Sequence, residues 1–227
     1  MTEARPTPRA VIFDCDGVLM ERHGIPFGPL SERLEQRGKP LNRGQLRGLL
    51  RGLTAECFVA RVLKHDPEFP VDWLWAEYDR IIAKLADGAK LVPGIIEVLD
   101  TLDAVGVRYA LGSNGPILKL KVMLAQHPGL AERFGGHIHS AQSLPAPKPA
   151  PNLHLHAAAA LGIRPLHCAV VDDGILGMTA AVAAGMPGYC FAAHDDAASL
   201  ADQAAELADY NVAVFHHMRE LPGVLGL

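Results

Sequence analysis

Four polar clusters in this chain carry residue types that do chemistry. Asp14 and Asp16 stand one residue apart where the apolar run Ala10-Val11-Ile12-Phe13 ends, and Gly17 follows. Ser113-Asn114 closes the strand-like stretch Val107-Arg108-Tyr109-Ala110-Leu111, and Lys148 sits alone among Pro145, Pro147, Pro149 and Pro151. Asp172-Asp173 ends His167-Cys168-Ala169-Val170-Val171. Asp14, Asp16 and Asp173 offer hard oxygen ligands of the kind magnesium takes. The Ser113 hydroxyl can donate to a phosphoryl oxygen, and Lys148 supplies a compact positive charge against the acids and a transferring group. One carboxylate can attack phosphorus and become an aspartyl phosphate while a second moves the proton.

Each cluster alone also has a plainer use. Asp-x-Asp-Gly occurs in calcium loops and turns, and Ser-Asn-Gly-Pro is a good turn sequence. A lysine among prolines is usually a solvated loop residue, and paired acids can cap a helix N-terminus. What joins the clusters is position. Three of them directly follow strand-like runs, where the loops of an open parallel sheet converge.

The elements that must place them alternate. After the first apolar run, residues from about 20 to 89 read as helices: Asn42 with Gln45 forms a capping-box pattern, Thr54 can cap a second helix and Asp72 a third. From Val92-Pro93-Gly94 onward the pattern becomes helix, strand, helix. Helices are expected around Ile95 to Leu102, Ile117 to Gln126, Leu153 to Leu161 and Met178 to Ala184, and near 197–207. Strands are expected at Val107 to Leu111, His137-Ile138-His139, His167 to Val171, Gly188 to Phe191 and 211–215. Such alternation implies crossover units. The predicted fold is therefore α/β: a Rossmann-like, doubly wound, mostly parallel sheet core with an inserted helical cap domain. Residues 1–20 and 90–227 are assigned to the core and 21–89 to the cap.

Composition narrows the setting. The 227 residues are 49% hydrophobic and 20% charged, ample for a core, with a formal net charge of −4. There is no basic stripe for nucleic acid and no uncharged run of membrane-spanning length. The four cysteines are scattered with no Cys-x-x-Cys pair, and Cys15 and Cys168 read as buried thiols. No signal-like segment opens the chain, so a cytoplasmic setting is expected. His137-x-His139 would share a strand face as a zinc pair but has no further ligand at telling spacing, and His154 and His156 do not share a helix face. Trp73 and Trp75 read as cap core or cap–core contact.

As a set, Phe13-Asp14-Cys15-Asp16-Gly17-Val18-Leu19, Ser113-Asn114, Lys148-Pro149-Ala150-Pro151 and Val170-Val171-Asp172-Asp173, with Gly177 and Ala184-Gly185-Met186, resemble the four motifs of the haloacid dehalogenase-like superfamily. The likeness is greatest to its helical-cap phosphatase and phosphomutase branch. It implies Asp14 as nucleophile, Asp16 as general acid/base, and Ser113 and Lys148 as further catalytic groups. It implies Mg2+ held by Asp14, the Asp16 carbonyl and Asp173, with Asp172 ligating or orienting its waters. Ser113, Asn114 and the cap residue Arg51 would bind substrate, with Arg80 and Lys84 as weaker candidates. The true dehalogenases lack the second aspartate of the first motif, so Asp16 argues for phosphoryl transfer. The chain departs from the family pattern at Glu21-Arg22, Asn152 and Gly174.

The implied activity is hydrolysis of a small phosphorylated metabolite, a sugar phosphate or phosphorylated sugar acid such as 6-phosphogluconate, by a monomer or weak homodimer. A sugar phosphomutase of the β-phosphoglucomutase type is the alternative. A receiver-like phosphoacceptor protein is remote, because receivers place the acidic pair near the first strand and have no helical insert.

Overall fold

The computed structural model describes residues 7–21, 28–42, 45–46, 49, 55–85, 88–193 and 212–227. Its centre is a six-stranded, wholly parallel sheet in the order β3-β2-β1-β4-β5-β6. The strands are β1 (Ala10–Phe13), β2 (Arg108–Ser113), β3 (Ile138–Ser140), β4 (Cys168–Asp172), β5 (Gly188–Phe191) and β6 (Ala213–Phe215). The first strand is apolar throughout because both its faces are covered. Val11 and Phe13 pack into one core cluster and Ala10 and Ile12 into another, and every one of the four is 0% exposed. The period-two alternation of side chains thus splits one short run between two layers.

On the first face lie α4 (Ile95–Ala104), α5 (Ile117–Leu124), the short α6 (Leu130–Arg133) and α9 (Leu221–Leu225), packed with aromatic side chains from Phe13 to Phe215. On the second lie α7 (Asn152–Leu161) and α8 (Ile175–Ala183), where the packing is mostly alanine and aliphatic. Gly162 takes a left-handed conformation and stops α7, as its place in the sequence suggests. The doubly wound prediction holds. Element edges move by one to three residues: β3 is Ile138–Ser140 rather than 137–139, and α8 begins at Ile175 rather than Met178. The short α6 was not anticipated, since four residues are too few for a periodic signal.

Two of the insert helices are the expected ones, α2 (Ala55–His65) and α3 (Val71–Leu85), whereas α1 (Gly28–Gln36) was not anticipated, and the helix expected after Asn42 is described only at residues 45–46 and 49. They share a separate core of Leu30, Leu34, Leu46, Phe58, Val59, Val62, Phe69 and Leu74. The Asn42–Gln45 capping box is present in both directions at 2.9 Å. The buried Asp66 carboxylate pairs with Arg37, whose guanidinium also lies over the Phe69 ring. Trp73 packs edge-on against Phe69, so it belongs to this small core, whereas Trp75 is 38% exposed. Where the chain leaves β1 it meets its own return: Glu21 donates to the Lys90 carbonyl and Val92 to that of Leu19. Arg51, Arg22, the Thr54 cap and the helix expected near 197–207 lie outside the described residues.

His154, which does not share a helix face with His156, is a buried group in the second layer whose burial the sequence pattern did not reveal. His154 on α7 is 0% exposed, and neither ring nitrogen reaches hydrogen-bond geometry with a protein partner. Burial first, and the Lys148 charge second, push its pKa down to about 3, against Asp172 and the Ala180 backbone. The folded chain therefore refuses a proton that the unfolded chain accepts at about 6.5. The stability this gives is present above pH 6.5 and drains as pH falls toward 3. His154→Met should remove about 2 kcal/mol of acid sensitivity between pH 7 and pH 5. Urea unfolding at the two pH values measures it, and an unchanged slope would count against the buried neutral imidazole.

Candidate active site

The sheet order reverses between β1 and β4, so the loops after these strands diverge and leave a crevice at their carboxyl ends. The register fixes what lines it. Phe13 is level with Leu111 on one side and Val171 on the other, so Asp14 and Asp172 leave adjacent strands at one height. The turn after β1 is tight: Leu19 and Met20 both donate to the Cys15 carbonyl, and Gly17 N donates to that of Met20 at 2.7 Å. Gly17 has a φ of 92°, which a side chain would resist. This bend turns Asp14 and Asp16 toward one site despite their alternate positions.

Lys148 is 3% exposed, and its ammonium is fully engaged. Nζ donates to Asp14 Oδ1 at 2.7 Å, Asp172 Oδ2 at 2.7 Å and the Gly112 carbonyl at 2.9 Å. The proline loop that seemed a solvated connection instead delivers its one lysine into the core, through a cis Lys148-Pro149 peptide. Asn114 brackets the same residue, accepting from Lys148 N at 3.0 Å and donating to Lys148 O at 3.3 Å. With Asn114 only 4% exposed, both ends of its amide hold the lysine's backbone in place. Ser113, 2% exposed, accepts from Gly115 N at 3.1 Å, which leaves its hydroxyl proton to donate.

Asp172 is used at both oxygens, by Lys148 and by Gly174 N at 3.0 Å. This suits the orienting half of its expected role better than the ligating half. Asp173, beside it, is only partly buried. Its neighbour Gly177 on α8 matches the motif for a steric reason. A Cβ there would fall 1.9 Å from the Asp172 carboxyl carbon.

Electrostatics follow from this crowding. Burial, and then Asp172, Asp173 and Asp16, push the Asp14 pKa up to about 7 against the pull of Lys148. Burial would lower the Lys148 pKa, but Asp14 and Asp172 outweigh it and leave it raised. Four carboxylates thus share the crevice with two ammonium groups. The second ammonium is Lys119 in the first turn of α5, 2.5 Å from Asp16 Oδ2. Sequence reasoning treated that helix as scaffold. The available signal was its start immediately after the Ser113 loop. Among the other expected candidates, Arg80 is 63% exposed and pairs with Glu77. His137 and His139 lie near each other and near His156, but among the described residues no three His, Cys, Asp or Glu side chains form a ready metal cluster.

The haloacid dehalogenase-like hydrolase family matches residues 8–185. The chain belongs to that family. Hexitol phosphatase B of Escherichia coli K12 is 30% identical over 194 residues, covering 79% of this chain and 83% of that one. The bifunctional riboflavin kinase/FMN phosphatase of Arabidopsis thaliana is 28% identical over 177 residues, and there the match spans 77% of this chain but only 46% of the relative. A HAD family hydrolase from Deinococcus radiodurans R1, solved with bound phosphate and sodium, superposes with a TM-score of 0.70 at 30% identity, covering 97% and 96% of the two chains.

Two outcomes test the geometry of this haloacid dehalogenase-like site. Gly177→Ala should force Asp172 off Lys148 and lower kcat by more than about 100-fold, with a lower melting temperature. An active, unshifted variant would show that the close approach is not needed. The raised Asp14 pKa gives a stability contribution that is complete below about 3.8 and lost as pH rises through about 7. Without divalent cations, Asp14→Asn should melt roughly 3–6 °C above the wild type at pH 8, with the gap closing by pH 4.

Proposed function

We propose that this haloacid dehalogenase-like phosphatase hydrolyses a small phosphorylated metabolite, a sugar phosphate or phosphorylated sugar acid, through an aspartyl phosphate on Asp14. The observation that carries the reading is the Lys148 ammonium bridging Asp14 and Asp172 at the reversal of strand order, with Asp16 one turn away. In the first step a carboxylate oxygen of Asp14 forms a bond to phosphorus while the bond to the leaving oxygen breaks, and Asp16 gives that oxygen a proton. In the second step Asp16 takes a proton from water, which attacks the phosphoryl group and frees Asp14 and inorganic phosphate. Ser113 and neighbouring backbone N–H groups donate to phosphoryl oxygens, and Lys148 offsets their charge. The phosphatase names among the relatives, and the phosphate bound in the Deinococcus hydrolase, support the same chemistry.

The donor set fits Mg2+. Asp14, Asp173 and the Asp16 carbonyl are all oxygen, and the surplus of acids over lysines leaves net negative charge to be balanced. Such a cation is held by one or two carboxylates, with water and phosphate completing its shell. When bound it supplies further positive charge to the transferring phosphoryl group.

Phosphate release should be measured across sugar phosphates, phosphorylated sugar acids and other phosphorylated metabolites, with and without Mg2+. Chelation should abolish turnover and Mg2+ restore it. Asp14→Asn should lose at least about 1,000-fold in kcat, and undiminished turnover there would reject the mechanism. Appearance of a phosphosugar isomer in place of free phosphate would turn the reading to the mutase alternative.

A further inference from the structure

The general acid of a phosphoryl transfer must bring its carboxyl oxygen within about 2.6–3.2 Å of the leaving oxygen. Asp16 sits on a turn with its side chain 38% exposed. A carboxylate so placed has rotamers that face the phosphoryl site and rotamers that face solvent. One strong contact selects among them: Lys119 Nζ, 2.5 Å from Asp16 Oδ2. Lys119 is itself held. Its side chain is 14% exposed, and its stem passes 3.5 Å from where a Cβ on Gly115 would stand, against the loop that carries Ser113.

A second element comes near the same carboxylate. Helix α3 packs against α5. Tyr78 on α3 lies in electrostatic reach of Asp16, whose charge comes after burial among the causes that raise its phenol. Asp16 therefore stands where the exit of β1, the first turn of α5 and an insert helix meet.

We propose that Lys119 is the positioning residue for Asp16, holding its carboxylate in the rotamer that serves the leaving oxygen. The inference rests on the phosphatase reading of the site. A lysine suits the task, since a point charge on a flexible stem can follow the carboxylate through both steps without fixing one bidentate geometry. Asp16 keeps contact with solvent, so replacing Lys119 by an apolar side chain leaves no charge stranded in the core, and the loss should show in chemistry more than in melting.

The test compares leaving groups. p-Nitrophenolate departs without help from an acid, whereas an alkoxide needs the proton. The quantity to measure is kcat/KM, which reports the steps through departure of the leaving group. For Lys119→Met, kcat/KM should fall at least about 30-fold on the alkyl phosphate that the wild type cleaves fastest, and less than about 3-fold on p-nitrophenyl phosphate. Lys119→Arg should recover most of the alkyl activity, and both variants should melt within a few degrees of the wild type. Equal losses on the two substrates, no loss on either, or no recovery with arginine would overturn the positioning role while leaving the phosphatase reading intact. A wild type without Asp14-dependent phosphate release would overturn both together.

Discussion

Three oxygens around one ammonium hold this site together. Lys148 Nζ spends its three protons on Asp14, Asp172 and the Gly112 carbonyl, and these come from three adjacent strands, β1, β4 and β2. Acids brought this close in a buried crevice repel one another and resist ionisation. A buried cation offsets that only when its geometry is well satisfied. Here each proton has an acceptor at 2.7–2.9 Å, and the Asn114 amide clamps the lysine's backbone. The lysine thus acts as part of the sheet's edge rather than as a loop residue leaning over it.

The remaining charges make functional sense as a site that is stable enough, not as stable as it could be. Asp14 keeps its raised pKa even with Lys148 beside it, first because it is buried and then because Asp172, Asp173 and Asp16 face the same space. A fold selected only for stability would not gather four acids at one crevice, and activity commonly costs stability in this way. The arrangement pairs Asp14 with Lys148 and Asp16 with Lys119, so each of the two acids has a cation of its own.

Much of this was legible in the residues. Continuous apolar runs ending in acids are what a sheet covered on both faces must show, so the strands and the acids at their ends could be read together. Lys148 was harder, since a lysine among prolines gives no local sign of burial. It was found only because the neighbouring motifs demanded a cation. Lys119 was missed because it lies inside a regular helix, where periodicity reports which face is covered but not what polar atom of a distant loop it meets. The clamp that Asn114 places on the Lys148 backbone was also out of reach, because an amide that binds a ligand and one that holds a backbone look alike in sequence.

The two faces of the sheet explain how a lysine 134 residues from Asp14 comes to touch it. The aromatic side chains of the strands point to the face carrying α4, α5 and α9. The opposite face is lined by Ala10, Ala110, Ala157, Ala158 and Ala181, and Gly112 has Leu153 of α7 within 3.5 Å of where its Cβ would be. Small residues let α7 and α8 lie close to the strands, as small side chains do wherever layers must approach. With α7 lowered, the segment leading into it brings Lys148 down to the level of Asp14. With α8 lowered, Gly177 passes against Asp172 and leaves no room for a side chain. The alanine-rich layer, unremarkable as composition, thus lets the segments that carry Lys148 and Gly177 come up against the acids.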